Sequence, residues 1–433
     1  MKAQPINIFW FRRDLRTDDN AALFHALHDK LPVLPIFIFD KNILSELPKD
    51  DARVTFIYGL LSGINETLKN HGSSLAVFFD EPETVFRKLA ATHNVQTVYT
   101  NHDYEPYARQ RDKAINQILK ENNVAFKTCK DQVIFEKDDI VKDDGKPYVV
   151  YTPYSNRWQE HFGKMTLAHY PSETLLGNVA RHDFPFLTLA DIGFGASAVK
   201  VPAFNTAKDL IDQYENTRNF PWLDKTSHLS PHLRFGSVSI RNIVAAAAKS
   251  SNKTFLKELI WREFFMQILW HFPHTVTKSF RPVYDDIKWR YDESDFKKWC
   301  AGQTGYPIVD AGMRQLNQTG RMHNRVRMIV ASFLCKHLLI DWRRGEAYFA
   351  EKLLDYEQSA NVGNWQWAAG SGVDAAPYFR IFNPEEQQKK FDKELKYIKK
   401  WVPEFGTENY PKPMVDHKMA RERCLQVYKE AVA

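Results

Sequence analysis

The amino-acid sequence predicts an α/β amino-terminal domain with a doubly wound parallel sheet, followed by an all-α carboxy-terminal domain. Three observations lead to this fold class. Short β-branched and aromatic runs alternate with amphipathic stretches in the first part of the chain. These runs cease further on, and helical periodicity dominates the second half. The length of 433 residues is enough for two to three domain-sized units.

The strand candidates of the first part are short and rich in β-branched or aromatic residues, and they lie at residues 6–11, 34–39, 75–79 and 97–99. The amphipathic stretches between them predict helices at residues 21–27, 52–71, 83–93 and 109–122. Strands that alternate with helices favour parallel pairing, with helices on both faces of the sheet. The glycines of this part, Gly59, Gly63 and Gly72, do not follow a strand. An ordinary dinucleotide-binding or P-loop enzyme is therefore disfavoured.

Regular patterns weaken beyond the first domain, where turn-forming and proline-containing segments follow one another. We therefore expect an α/β domain over residues 1–133, a connector over 134–205 and a helical domain over 206–433. Helical periodicity within the last of these predicts helices at residues 256–272, 309–316, 325–339 and 345–354.

Composition narrows the class of protein. The formal charge of +6 permits a phosphate-rich partner without requiring one, and the aromatic content of 14% suggests rings used for stacking or electron transfer. The four cysteines lack CxxC spacing, which argues against a zinc site, an iron–sulfur cluster and a disulfide framework, so no metal site is predicted. No apolar run approaches 18 residues and no signal-peptide pattern is present. We expect a cytoplasmic, monomeric protein.

Four motifs of the helical half each have a functional and a structural explanation. Residues 226–231 cluster hydroxyl groups before a helix, where either phosphate binding or helix capping explains them. Residues 258–265 place a glutamate and a tryptophan on one helical stripe. This stripe is either a functional face or a surface edge beside the core. Residues 322–328 suit nucleobase edges and phosphates or form a solvated basic helix. Residues 355–367 hold two tryptophans that face two ligands or belong to the core.

Residues 10–20, WFRRDLRTDDN, resemble the opening signature of the photolyase/cryptochrome family. Similar motifs follow in the family's order over nearly the whole chain, at residues 226–231, 258–264, 305–310, 322–328, 341–343, 364–367 and 378–384. The resemblance implies an amino-terminal antenna domain and a helical domain that holds FAD in a U-shaped conformation. A flavin held among helices also agrees with the lack of a glycine-rich loop on the sheet.

The resemblance assigns flavin contacts residue by residue. The pyrophosphate and ribose side is implied for Tyr214, Thr226, Ser227, Leu229 and Ser230. Arg327 and Asp355 are implied to form an ion pair against the isoalloxazine. Glu357 is implied to line the flavin, and Asn361 is implied to face flavin N5. Three tryptophans match the family's electron-transfer series, with Trp365 nearest the flavin, then Trp342, then Trp289 towards the surface.

Within the family, the chain is most similar to the class I photolyases that repair cyclobutane pyrimidine dimers. The implied dimer contacts are Glu258, Trp261, Asn324, Met328 and Trp367, and the implied DNA-backbone contacts are Arg218, Arg325 and Arg380, with Lys390 nearby. The implied activity is light-driven repair by electron transfer from photoexcited reduced FAD, which makes dimer-containing DNA the partner. A blue-light-sensing cryptochrome with the same flavin and no repair is the alternative. The (6-4)-photoproduct branch is disfavoured because its histidine pair is replaced by Asn324 and Met328.

Some positions depart from the family pattern. Arg321 replaces an aromatic residue and Glu357 replaces an aspartate. Around residues 101–108 the sequence favours 8-hydroxy-5-deazaflavin or FMN over methenyltetrahydrofolate as a second antenna chromophore, if one is bound, because Ala108 stands where the folate type has a carboxylate. Arg53 and Asp103 are the candidate contacts for such an antenna.

Overall fold

The structure is a computed structural model that describes residues 4–375 and 377–432. The chain divides into two compact units, each formed by several segments. The first unit draws on Met1–Glu136, His161–Phe204 and His228–Lys249. The second unit draws on Lys137–Glu160, Asn205–Ser227 and Ser250–Ala433.

A five-stranded parallel sheet forms the centre of the first unit. Its strands run in the order β3-β2-β1-β4-β5, and their bounds are β1 (Pro5–Phe11), β2 (Val33–Asp40), β3 (Ala76–Asp80), β4 (Asn94–Asn101) and β5 (Ala125–Cys129). In the register of the sheet, Ile8 pairs with Leu34 on one side and with Val98 on the other. The predicted doubly wound fold class is confirmed. Strand β5 was not predicted from the sequence. It is a largely exposed edge strand, and its sequence therefore contains no apolar run.

The helices are distributed along the chain with the following bounds: α1 (Ala21–His28), α2 (Lys41–Leu44), α3 (Ala52–Lys69), α4 (Pro82–Thr92), α5 (Pro106–Glu121), α6 (Tyr151–Lys164), α7 (Lys208–Thr217), α8 (Ser230–Phe235), α9 (Ile240–Lys249), α10 (Thr254–His271), α11 (Glu293–Ala301), α12 (Pro307–Thr319), α13 (Asn324–Ser332), α14 (Trp342–Lys352), α15 (Gln358–Ala369), α16 (Pro384–Phe391), α17 (Lys396–Trp401) and α18 (His417–Val432). Short 3₁₀ turns lie at Ser172–Asn178, Ala190–Ile192, Pro221–Leu223, Pro273–Val276 and Pro282–Asp286. Within the described part of the chain, no helix is both long enough and apolar enough to cross a membrane.

Alternation along β1 places successive side chains on opposite faces of the sheet. Ile8 and Trp10 belong to one buried cluster, which also contains residues of α4 and α5. Phe9 and Phe11 belong to a second cluster, which contains residues of α1 and α3. Helices therefore cover both faces, as the near-continuous apolar sequence of β1 requires.

Helices build the second unit around one large apolar cluster, which includes residues of α12, α13, α14 and α15. The predicted helix at residues 325–339 is α13 followed directly by a π-helical turn at Phe333–His337. Periodicity cannot separate these two forms, because the wider turn changes the hydrogen bonding but not the apolar character of the residues. The other three predicted helices of this half overlap α10, α12 and α14.

Two glycines allow the helices around α15 to approach closely. A Cβ atom at Gly345 of α14 would overlap the indole of Trp365 and the side chain of Leu334. A Cβ atom at Gly363 of α15 would likewise overlap the ring of Phe265 on α10. Helix α15 is therefore packed against α10 through one glycine and against α14 through the other.

We expect Gly345→Ala to lower the unfolding free energy by about 1–3 kcal/mol, because the added methyl group overpacks the site around a buried indole. The matched control is Gly63→Ala in α3, where no atom lies within 4 Å of the new Cβ. There the removal of a helical glycine should stabilise the protein by about 0.5–1 kcal/mol. Denaturant unfolding of both variants checks the prediction, and equal effects at the two positions would contradict it.

Candidate functional site: a cavity among helices α13, α14 and α15

A cavity that is partly open to solvent lies in the second unit, and the space between its walls is about 590 Å³ when the solvent-exposed part is included. The lining comes from α13, α14, α15 and the segment before α15, and it includes Asn324, Arg327, Met328, Asp355, Glu357, Asn361, Trp365 and Trp367. The structure thus brings together, in one wall, residues predicted to contact a flavin and residues predicted to contact a DNA lesion.

An ion pair forms one polar part of the wall. The Arg327 guanidinium donates to both carboxylate oxygens of Asp355, at 3.1 and 2.9 Å. Its Nε also donates to the carbonyl oxygen of Met322 at 2.8 Å, which fixes the plane of the guanidinium. A planar, oriented and charged pair of this kind is suited to hydrogen bonding along the edge of a polar ring system.

The amide of Asn361 is held by a residue that the sequence analysis missed. Asn361 Nδ2 donates to the backbone oxygen of Glu346 at 3.2 Å and to its Oε1 at 2.9 Å. Both amide hydrogens can be used in this way, which leaves Asn361 Oδ1 without a donor among the described residues. Burial raises the pKa of Glu346, while the hydrogen bonds from Asn361 and Tyr356 oppose the shift. No sequence signal points to Glu346, because only the packing of α14 on α15 brings the two residues together.

Glu357 is buried and pairs with an arginine of α10. Its Oε2 lies 3.3 Å from Arg262 Nε. Aspartate, the residue expected from the family pattern, is one methylene shorter. The longer side chain of Glu357 therefore changes the reach of the carboxylate at this position while keeping it beside an arginine.

The other predicted lesion contacts of α10 are not in the cavity lining. Glu258 forms an ion pair with Arg218, which follows α7. Burial raises the pKa of Glu258, and the guanidinium of Arg218 acts in the opposite direction. Arg218, which the sequence predicts to contact a DNA phosphate, is therefore already paired with a carboxylate. That ion pair was not predicted from the sequence. Trp261 is half-buried on the same helix, and its ring stacks on Tyr151.

Two more arginines lie at accessible positions. Arg325 follows Asn324 on α13, and its Nη2 donates to Asn219 Oδ1 at 2.7 Å. The guanidinium of Arg325 also lies over the ring of Phe391, 4.5 Å from its centroid. Arg380 is exposed in the segment before α16 and is outside the cavity lining.

The residues predicted for the pyrophosphate and ribose side fall in different parts of the chain. In the second unit, Tyr214 of α7 packs edge-on against Phe255 at 5.2 Å, and burial raises its pKa to about 12. Thr226 and Ser227 are half-buried in the same unit. Leu229 and Ser230 belong to the first unit, where Leu229 is buried and Ser230 begins α8.

The three tryptophans of the predicted series pack in the same apolar cluster with graded burial. Trp365 and Trp342 are buried, and Trp289 is only partly buried. The indole N–H groups of Trp342 and Trp289 are buried without an acceptor among the described residues. A fourth ring, Trp299, meets Trp365 edge-on at 6.1 Å.

Comparisons with known proteins show the family to which the chain belongs. The family model for DNA photolyase matches residues 7–172, and the model for the FAD-binding domain of DNA photolyase matches residues 255–407. The chain is 37% identical to a deoxyribodipyrimidine photo-lyase of Agrobacterium fabrum, over 99% of this chain and 98% of the relative. The chain belongs to the DNA photolyase family.

Solved structures of family members extend the comparison. A class III photolyase from Agrobacterium tumefaciens has a TM-score of 0.89 at 36% identity, with 100% of this chain and 98% of the other covered. A Sulfolobus tokodaii photolyase described with two FAD molecules has a TM-score of 0.82 at 33% identity, with 99% and 100% covered. A cryptochrome from Synechocystis has a TM-score of 0.87 at 25% identity, with the same coverage. Fold alone therefore does not separate a photolyase from a cryptochrome in this photolyase-family chain.

The helical domain of this photolyase-family protein is an FAD-binding domain, and the cavity fits that cofactor. Its wall offers an amide oxygen, a fixed guanidinium–carboxylate pair and two indoles. A flavin has a planar aromatic body with donors and acceptors on its edges, so it requires flat apolar surfaces together with oriented polar groups. The residues that line the cavity supply both.

We expect the replacement Glu346→Gln to change the pH dependence of stability. Because the folded state raises the pKa of Glu346 above its ordinary value of 4.5, the contribution of this residue to stability falls as pH rises from that value through the folded-state pKa. The neutral glutamine lacks this loss. The melting temperature of the variant minus that of the wild type should therefore increase between about pH 4 and about pH 8. A difference that stays constant with pH, measured by thermal denaturation, would contradict the assignment.

Proposed function

We propose that the protein is a deoxyribodipyrimidine photo-lyase, which uses FAD and blue light to repair cyclobutane pyrimidine dimers in DNA. One observation carries the proposal. The same cavity wall contains the proposed dimer contacts Asn324, Met328 and Trp367 and the proposed flavin contacts Arg327 and Asn361. A site in which a lesion and a flavin share a wall suits electron transfer between them over a short distance.

The flavin would be held by side chains that are already oriented. Arg327 and Asp355 would bind the polar edge of the ring as a pair, and Asn361 would present its oxygen because Glu346 takes up its amide hydrogens. Glu357 keeps the guanidinium of Arg262 beside the site. When bound in its reduced form, FAD supplies the photoexcited electron that dimer splitting needs.

The dimer would be recognised after it is flipped out of the DNA helix. Base flipping costs a few kcal/mol, and a lesion that already pairs and stacks poorly lowers that cost. The Asn324 amide can bond the polar edge of the bases, while Met328 and Trp367 offer apolar contact. Glu258 is a further proposed dimer contact, and its carboxylate is paired with Arg218.

The DNA backbone would be bound by Arg218, Arg325 and Arg380. Arg218 also pairs with Glu258, so its charge is shared between the carboxylate and a phosphate. Binding through these contacts should weaken as the salt concentration rises. The low formal charge of +6 is compatible with this, because only the DNA-facing surface needs to be basic.

We retain the antenna domain at residues 1–133, the connector at 134–205 and the helical domain at 206–433 as the proposed domain bounds.

For a second chromophore in the antenna domain we propose 8-hydroxy-5-deazaflavin or FMN rather than methenyltetrahydrofolate. A relative that carries two FAD molecules supports the flavin type. Arg53 pairs with Asp51 at 2.6 Å and Asp103 pairs with Arg13 at 3.1 Å, so both candidate contacts already have protein partners. We further propose a monomer that acts in the cytoplasm.

We expect the reduced protein to restore a dimer-containing oligonucleotide under blue light and not in the dark. The measurement is the recovery of the ultraviolet absorbance of intact pyrimidines, which the dimer lacks. The same protein in the dark and an oligonucleotide with a (6-4) photoproduct are the controls. A protein that binds FAD and responds to light while leaving the dimer unchanged would favour the cryptochrome alternative.

The tryptophan series predicts a selective effect of Trp289→Phe. We expect photoreduction of bound FAD to slow strongly, because the outermost indole of the series is lost. Repair by chemically reduced protein should remain close to the wild-type level, since that reaction does not use the series. Trp401→Phe is the matched control, because Trp401 is another partly buried indole packed against the same cluster. Equal slowing in both variants would show that the series is wrongly assigned.

A further inference from the structure

One face of the Trp261 indole is covered by a tyrosine. The rings of Trp261 and Tyr151 lie parallel within 5°, with their centroids 3.6 Å apart. This spacing leaves no room for a third ring between them, so a base cannot enter there. Trp261 is nevertheless half-buried rather than buried, and the accessible part of its surface remains open to a ligand.

Tyr151 is itself held firmly. Its side chain is buried, and its hydroxyl group donates to the backbone oxygen of Lys257 on α10 at 2.8 Å. Its ring also meets the edge of Phe264, with centroids 5.9 Å apart at an angle of 77°. Changing the rotamer of Tyr151 would break the hydrogen bond and both ring contacts, so the ring is a rigid support for the indole.

The rest of α6 secures this support. Tyr151, Tyr154 and Trp158 are spaced i, i+3 and i+7, which places them on one stripe of the helix. Tyr154 packs against Phe264 at 5.2 Å, and the Trp158 indole donates to the buried carboxylate of Glu263 at 2.6 Å. Three successive turns of α6 are therefore tied to α10, the helix that carries Trp261.

We propose that Tyr151 is a positioning residue for lesion recognition, which holds the Trp261 indole in the orientation that receives the flipped dimer. This inference rests on the proposed function. Without the support, the indole would keep only its ring contacts with Phe264 and Phe265 of its own helix. Part of its ordering would then take place when the lesion binds, and that ordering costs affinity. Undamaged DNA, which is bound through its backbone, does not need the indole and should be unaffected.

The test compares Tyr151→Met with Tyr151→Phe. Methionine fills the space with a flexible side chain and offers no planar ring, whereas phenylalanine keeps the ring and loses only the hydroxyl group. We expect Tyr151→Met to weaken binding of a dimer-containing duplex roughly three- to tenfold and to leave binding of the undamaged duplex unchanged. Tyr151→Phe should bind both duplexes like the wild type. Fluorescence anisotropy with labelled duplexes at one salt concentration measures all four affinities.

Two controls separate positioning from a general loosening of α6. Tyr154→Met removes a ring from the same helical stripe that packs on Phe264 rather than on Trp261. If it weakened dimer binding as much as Tyr151→Met, the inference would be overturned. In a Trp261→Ala background, Tyr151→Met should cause no further loss, and additive losses would also overturn it. If Tyr151→Met does not fold, Tyr151→His, which has a smaller planar ring, replaces it and should show a smaller loss.

The outcomes for the two proposals differ. A wild-type protein that binds dimer-containing and undamaged duplexes equally would contradict the proposed function. A wild-type protein that prefers the dimer, together with a Tyr151→Met variant that prefers it equally, would overturn only the role of Tyr151.

Discussion

The close packing of α15 between α10 and α14 is the constraint on which the site depends. It requires glycines at two positions where a Cβ atom would overlap a ring of the neighbouring helix, Gly363 beside Phe265 and Gly345 beside Trp365. The approach of α14 brings Glu346 within hydrogen-bond distance of Asn361. The orientation of the Asn361 amide thus depends on the absence of a side chain at Gly345, the residue next to Glu346. Such a dependence is expected because densely packed interiors transmit small shifts.

The acidic side chains in and around the site are paired with arginines. The carboxylates of Asp355, Glu357 and Glu258 each lie beside an arginine guanidinium. Buried charges are costly unless they are paired, and a paired guanidinium keeps its remaining donors in a fixed geometry. The pairs therefore serve stability and recognition together, since the same groups that compensate burial also present oriented donors to a ligand.

Much of the site follows from sequence, and the missing parts share one cause. The cavity lining contains Arg327, Asn361 and Trp367, whose motifs already mark them as candidates. Glu346 and Tyr151 were not anticipated, since each acts by contact with a residue on another helix. Tyr151 belongs to the stretch predicted as a connector, yet it opens a helix of the second unit. Strand β5 was missed for a different reason, because an exposed edge strand carries little apolar signal.

The fold class, the order of the two parts of the chain and the residue types of the candidate site could all be predicted from the amino-acid sequence. These properties depend on local periodicity and on motifs within single elements, and both can be recognised in the sequence alone. The packing of the folded chain was needed to show which side chains share a wall, which face of Trp261 is covered and which carboxylates meet an arginine. Such contacts depend on how helices distant in sequence pack, and packing is set by shape complementarity among many residues rather than by any local pattern.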